Sequence, residues 1–218
     1  TKISLETANK CTQKGNSSAN IHSLMIWNNY YTPGWVVCRD ETSSYIKVCE
    51  DDYDYGGKGT VLTNEDKWDY NFSSDITGKT KSARTGNYIS NVSYAIMAMT
   101  TDRMKKEWLY SQNSEFIVVA DRGPKDGVHD PKSLSYNNHG TKKVWKGNVV
   151  FNDGHVELLS EQTKSQYPFA LLDVTNTRID DNIFAEDTTE NYVDIWLAVF
   201  GDSDFESVTP LWDPSVRK

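Results

Sequence analysis

The chain has 218 residues, 37% of them hydrophobic and 12% aromatic, with 31 acidic against 23 basic side chains and a formal net charge of −8. That length supports one sizeable core without covalent staples, and the acidic balance excludes a general phosphate-binding surface, which needs clustered Lys and Arg. The short basic runs "RMKKEW" and "TKKVWK" stand close to acids, so nucleic acid is not expected as a partner.

In chain order, residues 2 to 30 read as a helix. Leu5, Ala8 and Cys11, then Ile21, Leu24 and Met25, recur at steps of three and four. Pro33-Gly34 stops the helix and begins a strand at "WVVC". Cys38 and Cys49 flank "RDETSSYIKV", which reads as two short strands about a polar turn, so a disulfide between them is geometrically open in an oxidising compartment. No Cys/His zinc spacing occurs. Residues 50–84 form an irregular, acidic and aromatic insertion. "NYISNVSYAIMAM" follows as a strand, "TDRMKKEWLYSQ" as a short helix or turn, "SEFIVVADR" as a buried strand, and "GPKDGVHDPKSLSYNNHG" as a long loop. Beyond the next hairpin come the apolar islands "QYPFALLDV", "DDNIF" and "NYVDIWLAVFG", and residues 173–218 form an acidic tail. The sum is an α+β organisation, with a helical stem over 1–31 and a mostly antiparallel β head over 32–218.

The hairpin is "GNVVFNDGHVELL". Asp-Gly favours a type I′ turn with positive φ at both positions. With Asp153 and Gly154 as the loop, 151 pairs with 156 and 149 with 158, so Val149, Phe151, Val156 and Leu158 share one face.

Candidate chemistry is sparse. A metal hydrolase or oxygenase would draw on His129, His139, His155, Asp121 and Asp153, but no pair stands at a converging spacing, and only His139 and His155 could meet across neighbouring strands. No nucleophile elbow, P-loop or dinucleotide fingerprint occurs. Acid-rich loops supply hard oxygen ligands, which makes calcium the ion to expect, with Asp173, Asp180, Asp181 and Asn182 as candidates and "DDYDYGG" as a second place. Sequons occur at Asn16, Asn71 and Asn91. A secreted carbohydrate-binding or hydrolytic β domain is the alternative class, with Trp35, Trp68, Trp108 and Trp145 as sugar platforms.

Three blocks carry a resemblance. "SSANIHSLMIWNNYYTPGWVVCRD", "NVSYAIM" and "FIVVADRGP" with "SLSYNNHGTKKVWKGNVVFNDGHVELL" stand in the order found in bacterial type IV pilins and type II secretion pseudopilins that bear the H-X9-DG motif. The motif positions here are His139, Asn148, Asp153, Gly154 and His155, with 13 residues between His139 and Asp153, and "CRDE" stands where the family usually has Cys-Pro-Ser-Asp. The resemblance implies a pilin-like fold, an amino-terminal helix packed on the sheet, and a filament subunit that polymerises through that helix. It implies no catalytic or cofactor-binding residues. Implied partners are other copies of the chain, an inner-membrane assembly platform and a prepilin peptidase. The implied location is an extracellular filament or the periplasm, after anchoring in the inner membrane. The apolar anchor is not in this sequence, and the abrupt start at Thr1 fits an upstream segment that has been removed. The insertion and the acidic tail are the expected subunit contacts or the exposed filament surface.

Overall fold

The computed structural model describes residues 17–49, 53, 72–78, 90–99, 101–109, 111–164, 181–186, 194–201 and 209–212. Its regular elements are helices α1 (Ser18–Trp27), α2 (Thr101–Lys106) and α3 (Ser135–Asn138). Its strands are β1 (Tyr94–Met97), β2 (Ile117–Asp121), β3 (Gly147–Phe151), β4 (Val156–Leu159), β5 (Thr163–Lys164), β6 (Asp181–Asn182), β7 (Leu197–Phe200) and β8 (Pro210–Leu211). Six strands pair in the order β4-β3-β2-β1-β7-β8, every neighbouring pair antiparallel, and β5 pairs with β6.

This corrects the expected α+β pilin-like architecture. The described structure is mainly an antiparallel sheet with short helices, and no long amino-terminal helix packed on that sheet is evident among the described residues. The limits of α1 have local causes. Ser17 is its N-cap, accepting the Asn20 N–H through Oγ at 3.1 Å. At the other end Asn29 takes φ 59, while the Asn29 N–H reaches Ile26 O and the Tyr30 N–H reaches Met25 O. That is a Schellman stop with asparagine in the left-handed position, and it ends the helix ahead of Pro33. Pro33 then opens a 3-10 turn, Pro33–Val36, where a strand was expected. Proline suits the first helical position because its missing N–H would be unsatisfied there anyway. The expected helix before Ser17 lies outside the described residues.

The chain divides into two compact units, Thr1–Ser93 with Val199–Leu211, and Tyr94–Ala198 with Trp212–Lys218, the cuts falling before β1, within β7 and after β8. Each has its own apolar cluster. The first gathers Ile26, Val36, Ile46, Phe72, Ile76, Val92 and Val199. The second gathers Met97, Phe116, Ile117, Tyr136, Trp145, Val149, Phe151, Phe184 and Leu197. β7 is buried throughout and β1 at three of its four positions, so neither shows the polar alternation of a half-exposed strand. Below the level of fold class, "SEFIVVADR" and "GNVVF" take the strands expected of them, and "TDRMKKEWLYSQ", read as a short helix or turn, opens with the helix Thr101–Lys106.

The β3–β4 hairpin departs from the expected register by one residue. Val150 pairs with Val156 and Val149 with Glu157. The loop is three residues, Asn152 to Gly154, closed by Gly154 N–H to Phe151 O at 2.9 Å and Phe151 N–H to His155 O at 3.0 Å. Gly154 takes φ +92, while Asp153 is not at positive φ. This is a type I turn with a left-handed third residue. Asn152 explains the slip, because its N–H donates to Phe116 O and its side-chain amide donates to Glu107 O, which draws it toward β2 and away from β4. A one-residue shift turns every side chain over. Val156 and Leu158, expected inside, are therefore 60% and 53% exposed.

Candidate functional site

The strongest block of the sequence resemblance folds into one contiguous piece, β2–α3–β3–β4, and its polar residues meet at Asp121. Asp121 ends β2 and is 2% exposed. One register step beyond the Ala120–Val149 pair, its Oδ2 accepts the Asn148 main-chain N–H at 2.6 Å and the Asn148 side-chain amide at 3.1 Å. The carboxylate thus continues the β2–β3 ladder with a side chain. His139, the residue after α3, brings its Nε2 to 3.3 Å from the same oxygen.

Glycine at 147 permits this approach. A Cβ there would lie 2.4 Å from Trp145 Cζ2 and 2.9 Å from Asp121 Cβ. Trp145 is fully buried, its ring edge-on to Phe184 with centroids 5.0 Å apart, and its Nε1–H donates to Arg122 O at 3.1 Å. An apolar wall on one side and a fixed carboxylate on the other hold β3 in place.

The other expected motif residues form a second, local arrangement. Asp153 Oδ1 accepts the His155 main-chain N–H at 3.0 Å and lies 2.5 Å from His155 Nδ1, and the His155 ring stacks on Phe151 with centroids 4.1 Å apart. The main-chain hydrogen bond from His155, then its imidazole, hold the Asp153 carboxyl below the usual range. His155 Nε2 stands 3.8 Å from Glu157 Oε1. This is the chemistry of a hairpin lock.

The five-residue metal set therefore separates. Asp121 meets His139, Asp153 meets His155, and His129 turns to Lys142 O at 3.2 Å and to the Tyr136 ring. His139 and His155, which could have met across neighbouring strands, instead join these two separate carboxylate partnerships. In the sequence Asp121 stands both among the five scattered candidate ligands and in the "FIVVADRGP" block of the resemblance. Its position as the last residue of an apolar strand, ahead of "NNHG" and "GNV", was the signal for a junction.

The calcium candidates that are described are engaged elsewhere. Asp181, fully buried, accepts the Ile195 N–H at 3.0 Å, while Asn182 donates to Gly127 O and accepts the Phe184 N–H. Asp173 and Asp180 lie outside the described residues, as do all of "DDYDYGG" but Tyr53. Cys38 and Cys49 are both buried, and no disulfide joins them. The expected strands around the turn are not formed; Cys38 is fixed by its N–H to Ser93 Oγ at 2.6 Å, and Cys49 packs in the first core. Asn91 is also buried. Its amide donates to Lys47 O at 3.0 Å and its Oδ1 accepts the Ser73 N–H at 3.1 Å, so this sequon is closed to a glycan in the folded chain. Asn16 and Asn71 lie outside the described residues. Of the tryptophans offered as sugar platforms, Trp145 is core and Trp108 packs against it, Trp35 is 73% exposed, and Trp68 is outside the described residues.

Comparison with protein-family models, with curated proteins and with solved structures finds no match to this chain. Among the described residues no helix is long and apolar enough to cross a membrane.

Proposed function

We propose that the chain is a structural subunit of a type IV pilus-like filament or a type II secretion pseudopilus, assembling with other copies of itself through its amino-terminal segment. The proposal rests on the order and content of the three resembling blocks. One observation carries it on the structural side: Asp121 and Asn148, from separate parts of the strongest block, are hydrogen-bonded in a buried position with His139 beside them. Residues of a catalytic constellation would be expected to keep a reactive atom in reach of substrate. Here the carboxylates of Asp121 and Asp153 each accept a main-chain N–H, as in a segment selected for holding a fold. The helix-on-sheet head is no part of this proposal. Burial of Trp145 also takes one platform from the carbohydrate-binding alternative.

The test is the amino terminus of the native protein taken from cells, read by mass spectrometry, with filaments sought by electron microscopy. A methylated terminal residue followed by roughly 20 apolar residues, together with filaments that react with antibody to this chain, supports the proposal. A mature chain that starts near Thr1 and forms no filament contradicts it.

A further inference from the structure

We propose that Asp121 and His139 form a binding site for one divalent transition-metal ion of the zinc class. Asp121 is buried, and its carboxylate is oriented by two hydrogen bonds from Asn148 to Oδ2, while Oδ1 is buried with no hydrogen-bond partner among the described residues. A buried carboxylate oxygen without a donor is costly, and a bound cation removes that cost. His139 Nε2 is 3.3 Å from Oδ2. Two ligand atoms each about 2.0–2.1 Å from one ion, as for zinc, stand at that separation when the angle at the metal is roughly 105°, close to tetrahedral.

The donor set selects the ion. Imidazole with carboxylate suits zinc and its neighbours, whereas calcium takes an all-oxygen shell. The supports are those a metal site needs, because a ligating carboxylate is itself held by hydrogen bonds, here from Asn148. The His139 main chain is set by α3 before it, where Tyr136 and Asn138 are buried, and by Gly140 after it, where a Cβ would lie 2.4 Å from Val144 O. Asp121 supplies both oxygens, which gives the buried Oδ1 its partner, and His139 supplies one nitrogen. The site does not depend on the filament proposal.

The experiment titrates chelator-treated protein with zinc, following thermal unfolding and the imidazole NMR resonances, and repeats it with cobalt for the visible spectrum. The expected result is a saturable one-to-one stabilisation, a rise of roughly 5 °C or more at about a hundredfold excess over Kd, with His139 resonances shifted and the intense bands of tetrahedral cobalt. The rise should vanish in His139→Ala and persist in His155→Ala, which removes the other imidazole–carboxylate pair. No stabilisation of the wild-type chain, or one that survives in His139→Ala, overturns the site. If His139→Ala does not fold, the wild-type spectra decide, and a shift confined to other histidines overturns it.

Discussion

In the unit built around Trp145, β1 through β4 close through main-chain ladders, and side chains add to them at Asp121 and Asn152. In the unit built around Ile26 and Val92, small polar side chains do much of that work. Ser93 Oγ accepts the Cys38 N–H, Ser18 Oγ accepts the Phe200 N–H at 2.8 Å, the Ser74 hydroxyl donates to Phe200 O, and Asn91 ties Lys47 to Ser73. Both satisfy buried main-chain groups, as any interior must. They differ in redundancy, because a ladder bond is one of a row, whereas each serine or asparagine stitch is the product of one side chain.

The largest expected effect in the ladder-built unit comes from its buried ion pair. Arg103 and Asp194 are both buried and joined side chain to side chain, and Arg103 Nε–H also donates to Asp194 O at 2.9 Å. Asp194→Ala takes the buried carboxylate from that cation, leaving the more exposed Glu186 carboxylate at 4.0 Å, and should cost about 3–5 kcal/mol in denaturant unfolding. A loss below about 1 kcal/mol would show that the pair is dispensable.

Next comes acid sensitivity in the stitched unit. His22 is buried, with Nδ1 2.7 Å from the Tyr31 hydroxyl, and burial lowers its pKa from 6.5 to about 4. Between those values the unfolded chain binds the proton more readily than the folded one. The stability from the neutral ring is therefore fully present above pH 6.5 and is lost as pH falls toward 4, by about 3 kcal/mol in all. Unfolding free energies measured from pH 7 to 4 should fall more steeply in the wild type than in His22→Leu; equal slopes would remove His22 from the account.

Asn91→Ala should cost about 1–3 kcal/mol, since it removes the acceptor for the Ser73 N–H and the donor to Lys47 O. Amide exchange at Ser73 should accelerate with it, and unchanged exchange would refute the stitch. The smallest effect is at the hairpin tip. Gly154→Val places a β-branched residue at φ +92, but its Cβ meets nothing within 4 Å, so the cost is backbone strain alone, roughly 1–2 kcal/mol. A neutral melting temperature would contradict the turn assignment.

The contrast also explains what the sequence made legible. Strands such as "FIVVAD" and "GNVVF" announce themselves through apolar runs and alternation. The stitched unit does not, because Ser and Asn read as loop whether they face solvent or close a core. The same ambiguity hid the stop at Asn29, because asparagine in a left-handed helix end reads as loop in the sequence. Asp-Gly signalled the hairpin correctly, yet it is compatible with loops of two or three residues, and the Asn152 bond to Glu107 that decides between them is long-range. Asp121 and His139 stand 18 positions apart, on a strand end and behind a single helical turn, so only the folded β2–β3 pairing brings them together.

The most direct test of the central claim, that the signature segment's polar residues hold the fold, is Asp121→Asn in metal-free protein. Its unfolding free energy and the exchange rate of the Asn148 amide would be measured side by side. The account predicts a loss of about 1–3 kcal/mol and faster exchange at Asn148 because the buried acceptor for that N–H is weakened. An unchanged stability with an equally protected Asn148 amide would contradict it.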